Sequence, residues 1–445
     1  MIENDAFKLL LINLFHLNPD DITNIVCTTF NKMMVLLVTL ADKHQACPYC
    51  GFTAPKIKEY VTKEITHSAL TTQKCIIKYR ARRYKCPCCG KTYYEFNPFV
   101  FKSQKISILT VHNILKDLKD FNETFTSVAR RYHVSPTSVS TIFDNHVDIG
   151  RNPLPEIINF DEVYAFKSEK SKYVCVLLDF KKQIPVDVLP NRKKEYLLNY
   201  FQKIPLEERK KVKYACSDMY EVYRDVVHKV FPCSCMLLDY FHLSQDFHKK
   251  MNEVRIKVMK GYKDDKASDE YYLLKKFNWL LFKNPEDEDK YGRLFDVERE
   301  RKYNSHFKSY MNYYDLRKKL LEINNDLTIC YSLKLELVDF YSKSTIDNAQ
   351  VNLEHLIRSF IDTNIEEMIK FSNNLINWKQ EIINSFTIVG TEYKVEADKG
   401  QVVVCNKKVN NAIIENRNKI IKCIKNNANG YTNWSRFRNR VMYVL

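Results

Sequence analysis

The chain has 445 residues, 45% of them hydrophobic and 13% aromatic, enough apolar material for about two to four folded domains, which excludes a disordered or low-complexity polypeptide. Lysine and arginine number 70 against 54 aspartates and glutamates, a formal charge of +16. The longest apolar run, Met33 to Leu40, is too short to cross a bilayer, and the first residues lack the charge order of a secretory signal, so a cytosolic protein without a membrane partner is expected. The excess charge is clustered: residues 56–105 hold twelve basic and three acidic residues, and residues 401–445 hold nine and one. Such clusters suit a polyanion.

In chain order, a short helix over Ala6 to Phe15 and two strand-like runs, Ile22 to Thr29 and Met33 to Leu40, lead to Cys47-Pro48-Tyr49-Cys50-Gly51. Its counterpart is Cys86-Pro87-Cys88-Cys89-Gly90. Each is a Cys-x-x-Cys knuckle closed by a glycine that lets the backbone turn its amides toward sulfur. Four thiolates from two knuckles make a closed tetrahedral site of the structural zinc type, with Cys47, Cys50, Cys86 and Cys89 as ligands and Cys88 spare. A β-hairpin, Ile57 to His67 with Gln73 to Tyr84, is expected between the knuckles, with His67 an ordinary surface residue. Lys78, Arg80 and Arg82 lie two apart and share a strand face. With Arg83 they form a basic surface suited to phosphates. Cys27, Cys75, Cys175, Cys216, Cys330, Cys405 and Cys423 stand alone in the sequence and are expected to be reduced and buried.

Residues 127–143 fit a helix-turn-helix. Val128, Ala129 and Tyr132 form the inner face of the first helix, and His133-Val134 forms the turn. Ser135 caps the second helix with Pro136 at its first position. Val139, Ile142 and Phe143 pack it back, which points Thr137, Ser138 and Thr141 outward, where a recognition helix reads bases. Arg151 to Pro155 reads as a linker.

Beyond it, Glu156 to Asp161 is a mostly apolar strand that delivers a carboxylate. Strands over Lys172 to Asp179 and Ile184 to Leu189 follow as a hairpin. A helix over Lys193 to Phe201, a strand over Val212 to Ser217 ending at Asp218, a helix over Met219 to Val230 and a strand over Cys233 to Leu238 ending at Asp239 complete the run. The order βββαβαβ is that of the ribonuclease-H-like fold, in which the first and fourth strands are neighbours, so Asp161 and Asp218 meet. Two adjacent carboxylates call for a divalent cation, Mg²⁺ or Mn²⁺, or for a shared proton. From Phe241 to about Asp398 the pattern is helical and without a ligand cluster, expected to be structural or to shape a DNA channel or a dimer contact. The last helix-like stretches are Asn410 to Lys425, with Ile413, Ile420 and Ile424 on one side, and the basic Phe437-Arg438-Asn439-Arg440. Glu415 is the only acid after Asp398, and Lys419 and Lys422 share its helix face.

Together the double Cys-Pro-x-Cys-Gly motif, the helix-turn-helix, Phe160-Asp161-Glu162, Ser217-Asp218-Met219-Tyr220, Leu238-Asp239-Tyr240-Phe241-His242, Glu415 through Lys422 and the Gly430 to Trp434 ending resemble the bacterial ISL-three family of DDE transposases over nearly the whole chain. The resemblance implies an α/β plus α protein: a zinc-binding β domain (1–103), a helix-turn-helix domain (104–152), a ribonuclease-H-like catalytic core in two parts (153–245 and 401–445) and a large helical insertion (246–400). It implies a catalytic triad of Asp161, Asp218 and Glu415 holding two Mg²⁺ or Mn²⁺ ions, and DNA contacts from Arg80, Arg82, Arg83, Thr137, Ser138, Thr141, Lys419 and Lys422. The partners implied are double-stranded DNA, as terminal inverted repeats and target, and a second copy of the chain or more on that DNA, at the nucleoid of a bacterial cytoplasm. The sequence departs from the family where Asn416 follows Glu415 in place of a glycine and Cys405 to Lys408 stands where an Asn-Gly turn is usual. Asp239 and His242 match a family motif without an assigned role. A DNA-binding regulator that has lost catalysis is the alternative of another class, and a nuclease without strand transfer is a third.

Overall fold

The structure, a computed structural model, describes residues 2–43, 45–68, 70–102, 104–166, 171–395 and 402–445. The chain divides into two compact units: Met1–Arg151 with Tyr164–Lys167 and Lys419–Leu445, and Asn152–Val163 with Ser168–Asn418.

The first unit opens with helix α1 (Ile2–Leu14) and strands β1 (Ile22–Phe30), β2 (Met33–Leu40), β3 (Lys56–Thr66), β4 (Cys75–Lys85) and β5 (Thr92–Tyr94). Asn31 and Lys32 both take positive φ between β1 and β2, the backbone a tight two-residue hairpin needs. The sheet order is β1-β2-β4-β3, with β5 on β4. Strand alternation turns Cys75, Ile77, Tyr79 and Ala81 of β4 onto a core with Ile12, Phe15 and Leu36. His67 is buried rather than on the surface (1% exposed). Its Nε2 donates to the Phe15 carbonyl at 2.8 Å and its Nδ1 faces the Ser107 hydroxyl at 3.0 Å, so the ring ties α1 to the start of α2 (Ile108–Asp117). The apolar face of α1 and the long reach from Phe15 to Ser107 give it that place, which spacing alone does not reveal.

Helices α3 (Phe125–Arg131) and α4 (Pro136–His146) follow, joined through His133 at φ 54°. Thr124 and Ser127 form a capping box on α3, and Ser135 caps α4 with Pro136 next. Val128, Ala129, Tyr132, Val139, Ile142 and Phe143 are buried together with Val111 and Ile114 of α2. The last helix, Trp434–Val444, packs on this bundle. Its arginines are committed to it: Arg436 pairs with Asp144, Arg438 donates to the Ile149 carbonyl at 2.6 Å, and the buried Arg440 donates to the carbonyls of Asp120 and Glu123, both at 2.8 Å.

The second unit is built on strands β6 (Ile157–Val163), β7 (Val174–Asp179) and β8 (Pro185–Leu189), helices α5 (Lys194–Gln202) and α6 (Leu206–Arg209), strand β9 (Tyr214–Ser217), helix α7 (Glu221–Val230) and strand β10 (Cys235–Leu238). The sheet order is β10-β9-β6-β7-β8. β6 runs antiparallel to β7 and parallel to β9, and β9 runs parallel to β10. Nearly every residue of β6, β7 and β8 is buried, as a sheet covered on both faces requires. Ile158 and Phe160 face α5 and α7 through Leu197, Phe201, Tyr223 and Val227. Ile157 lies in the opposite layer with Cys216, Leu237 and Val409, and by alternation Asn159 and Asp161 share its face.

After β10 come α8 (Tyr240–Lys260), α9 (Asp269–Lys276), strands β11 (Glu288–Asp289), β12 (Gly292–Arg293), β13 (Lys302–Asn304) and β14 (Ser309–Met311), helices α10 (Tyr313–Glu322), α11 (Asn325–Lys343), α12 (Ala349–Ile361), α13 (Glu366–Asn377) and α14 (Lys379–Asn384), and the hairpin β15 (Ile388–Val395) with β16 (Val402–Lys408). The helices share one large apolar core around Phe247, Leu320, Leu337, Phe360 and Phe371. Among its described residues the insertion is therefore helical with three β-hairpins set into it, and β15 and β16 lie on either side of the boundary expected at residue 400. Alternating Ile388, Gly390 and β-branched or aromatic residues such as Thr391 and Tyr393 favour strand there.

Candidate active site and metal centre

The two cysteine knuckles fold alike. In each, the amide of the glycine donates to the carbonyl of the first cysteine at 2.9 Å (Gly51 to Cys47, Gly90 to Cys86), and both glycines sit near φ +70°. A left-handed turn of this kind suits glycine because a Cβ is disfavoured there. Cys47 Sγ lies 3.7 Å from Cys89 Sγ, and Cys50 Sγ lies 3.6 Å from Cys86 Sγ. A tetrahedral zinc with bonds of about 2.3 Å spaces its sulfurs about 3.8 Å apart, so the four thiols fit that ion. The Cys86 thiol is lowered to about 7, first by the Cys89 backbone amide pointing at it, which favours the thiolate a metal needs. Cys88 is exposed and outside the group. Of the isolated cysteines, Cys75, Cys175, Cys216 and Cys330 are buried, Cys27 is half-buried and Cys423 is exposed; an exposed position on a helix carries no burial signal in spacing. The side chain of Cys405 lies outside the described residues.

The acids are assembled from remote segments. Because β6, β9 and β10 run parallel, their carboxyl ends lie on one edge of the sheet. Asp161 stands near the end of β6, Asp218 directly after β9 and Asp239 directly after β10. Ligand sites of open α/β sheets form at this edge. Helix α15 (Ala412–Asn427) brings the fourth acid. Its entry is fixed by the buried Asn411, whose side chain accepts from Asn159 at 2.7 Å and donates to the Phe160 carbonyl at 3.3 Å, while its backbone amide donates to Asp239 Oδ1 at 3.3 Å. One turn into the helix, Glu415 Oε1 lies 3.7 Å from His242 Nε2, and that nitrogen lies 3.8 Å from Asp239 Oδ2. Asn418 follows three residues later and donates to Asp161 Oδ2 at 2.7 Å.

The electrostatics are those of buried, crowded carboxylates. Burial pushes Asp161 up to about 7, partly opposed by the Glu162 amide and reinforced by the Asp218 charge. Burial and then Glu162 push Asp218 up to about 6, and burial raises Asp239. Asp218 Oδ1, Asp239 Oδ2 and His242 Nε2 are buried without a hydrogen-bond partner among the described residues. Unpaired buried acceptors and raised acids are the surroundings that a divalent cation would relieve. On the other face of β6, Glu162 pairs with Arg192, whose guanidinium also lies over Tyr173 and Tyr220 at 4.6 and 4.7 Å.

Among the described residues, the ligand-type atoms of this acidic edge that lie within 4.8 Å of one another are those of Asp239, His242 and Glu415, whereas Asp161, which feels the charge of Asp218, is tied to α15 through Asn418. The buried stripe of α15 is Ile414, Asn418, Ile421 and Ile424, not Ile413 and Ile420, which are half-buried. An asparagine inside an apolar stripe was the signal for its contact with Asp161. Lys419 and Lys422 are exposed on the continuation of the same helix. Among the other residues expected to face DNA, Arg80 is exposed with its guanidinium 4.8 Å over the Tyr60 ring. Arg82 is turned inward: it pairs with Glu95 at 2.8 Å and donates to the Leu40 carbonyl at 3.1 Å. Arg83 holds Glu59 at 2.6 Å. Thr137 and Thr141 are exposed on α4, and the Ser138 hydroxyl lies 2.8 Å from that of Ser135.

A sheet with carboxylates gathered at one edge, interrupted by a long helical insertion before its last acid, defines a class. The transposase model of the DDE type for ISL3 (ISL-three) elements matches residues 158–397. The chain belongs to the ISL3 family of DDE transposases. It is similar to the transposase for insertion sequence element IS1001 of Bordetella parapertussis, at 19% identity over 392 residues, which covers 87% of this chain and 86% of the relative. The family match takes in Asp161, Asp218, Asp239 and His242 and ends before Glu415, which the structure places beside Asp239 and His242.

Proposed function

We propose that the protein is a DNA transposase that binds the terminal inverted repeats of a bacterial insertion sequence, cuts at them and joins the freed ends to target DNA. The observation that carries this reading is that three parallel strands end at Asp161, Asp218 and Asp239 on one sheet edge, where Glu415 of α15 lies beside His242 and Asp239. The sheet order, with the first strand beside the fourth, supports a ribonuclease-H-like core. Asp161, Asp218 and Glu415 would hold two Mg²⁺ or Mn²⁺ ions, which when bound activate an attacking oxygen and stabilise the leaving one. The chain's own residues prepare that site. Asn418 orients the Asp161 carboxylate, Asn411 fixes the start of the helix that carries Glu415, and the covered sheet keeps Asp161 and Asp239 from bulk water. In the first unit, a structural zinc on Cys47, Cys50, Cys86 and Cys89 pins the β domain. Arg80, Thr137, Ser138 and Thr141 face DNA, with Lys419 and Lys422 on phosphates. Arg82 and Arg83 act by holding the surface in shape. The active form is a homodimer or larger on DNA, in the bacterial cytoplasm at the nucleoid; none of the described helices is long and apolar enough to cross a membrane.

The test uses duplexes carrying the element's ends with Mg²⁺. Wild type cleaves and joins them, whereas Asp161→Asn, Asp218→Asn and Glu415→Gln bind the ends without cleaving. Specific binding without any cleavage by wild type returns the regulator reading, and cleavage without joining returns the nuclease.

A further inference from the structure

Asp239 and His242 lie three residues apart where β10 passes into α8, so they share one side of the helix start. Their ligand atoms and a Glu415 carboxylate oxygen all lie within 4.8 Å of one another. His242 Nε2 is 3.8 Å from Asp239 Oδ2 and 3.7 Å from Glu415 Oε1. Those gaps exceed a hydrogen bond, which spans about 2.7–3.2 Å. They leave room for a cation: with bonds of about 2.1 Å, neighbouring ligands of an octahedral ion sit about 3 Å apart and opposite ones about 4.2 Å, and the observed gaps fall between the two, so a bound ion would draw the three groups slightly together. A second observation points the same way. Asp239 is 4% exposed, and neither its Oδ2 nor the buried Nε2 of His242 has a hydrogen-bond partner among the described residues. Its other oxygen is fixed by the Asn411 amide at 3.3 Å, which leaves Oδ2 to face the imidazole and Glu415.

We propose that Asp239 and His242 are direct ligands of one divalent cation, shared with Glu415, so that this position is a mixed nitrogen–oxygen site selective for Mn²⁺ over Mg²⁺. The inference rests on the reading of the acids as a cation-dependent active site and names ligands beyond the triad. An imidazole ligand favours later first-row ions, whereas Mg²⁺ prefers oxygen and gives up its water reluctantly.

The experiment loads the full-length zinc-bound protein with Mn²⁺ and reads pulsed electron paramagnetic resonance alongside a binding titration. Wild type is expected to show hyperfine coupling from Mn²⁺ to an imidazole nitrogen and to bind Mn²⁺ about tenfold or more tighter than Mg²⁺. In His242→Gln the coupling disappears and Mn²⁺ affinity falls by about tenfold or more. Asp239→Asn, of unchanged size, keeps the coupling and weakens affinity, with circular dichroism confirming that both variants are folded. Mn²⁺ bound without nitrogen coupling, or coupling that persists in His242→Gln, overturns the assignment. Cleavage by Asp161→Asn undistinguished from wild type overturns the active-site reading instead, whatever the resonance shows.

Discussion

The two metal-type centres of this chain are built in opposite ways. The cysteine centre draws on two short knuckles whose glycine turns and amides are set locally, and its sulfurs already stand at zinc spacing. The acidic centre draws on the ends of three strands and a helix that follows a long insertion, and burial raises Asp161, Asp218 and Asp239. Local construction gives a site that supports the fold around it. Remote construction gives a site held in place by the fold at a cost, because like charges gathered at a partly buried sheet edge destabilise the metal-free protein. Stability and function should therefore respond in opposite directions to substitution at the two centres.

The largest effect belongs to catalysis. Asp161→Asn, Asp218→Asn or Glu415→Gln should each lower end cleavage by about a thousandfold or more, a size typical of removing a main electrostatic element of an active site, measured by single-turnover cleavage. Next is Cys86→Ser. Loss of one thiolate should release zinc, measured by metal content, and lower the unfolding midpoint of the first unit by several kcal/mol or about 10 °C. Asn411→Ala should lower cleavage by about ten- to a hundredfold while leaving zinc content unchanged, since Asn411 positions Glu415 and Asp239 rather than reacting. The comparison is sharpest at Asp218→Asn in metal-free protein. Asp218 Oδ1 has no hydrogen-bond partner among the described residues, so neutralising the side chain should raise stability by about 1–2 kcal/mol even as activity vanishes. A fall in stability instead would place the acidic centre on the same footing as the cysteine one.

The same contrast explains what the sequence could reveal. The zinc knuckles, the Ser135-Pro136 helix start and the acids at strand ends are written in short spacings, because each depends on backbone geometry within a few residues. The covered strands β6 to β10 are legible as apolar runs. What escaped is where partners are remote. Arg82 looks like a phosphate contact until Glu95 and the Leu40 carbonyl are seen to hold it, and Arg440 looks like surface charge until the carbonyls of Asp120 and Glu123 enclose it. Spacing alone places Ile413 and Ile420 in the buried stripe of α15 beside Ile424, because they compete with the isoleucines at 414 and 421 that are in fact buried. Asn418 decides the register, and its meaning depends on Asp161, 257 residues away. The hairpin β15–β16 was hidden in a helical neighbourhood despite its own alternation.

The smallest predicted effect tests whether remote construction must destabilise. His67 is also a buried titratable group joined to distant segments, Phe15 and Ser107, yet both ring nitrogens are satisfied. Burial lowers its pKa below the ordinary 6.5, with the Phe15 carbonyl opposing. The folded state therefore binds fewer protons than the unfolded one around and below pH 6.5. The stability this neutral ring contributes is complete above that pH and is lost as pH falls toward the folded value. Thermal unfolding at pH 7.5 and pH 5.5 should show wild type losing more stability on acidification than His67→Gln, by at most about 1.4 kcal/mol per pH unit. His67→Gln should be the less stable protein at pH 7.5, where two good hydrogen bonds to the ring are replaced by weaker ones. Equal acid sensitivity in the two proteins would mean that the ring accepts its proton without breaking the contact to Ser107, and that satisfied hydrogen bonding is not what separates this long-range junction from the acidic centre.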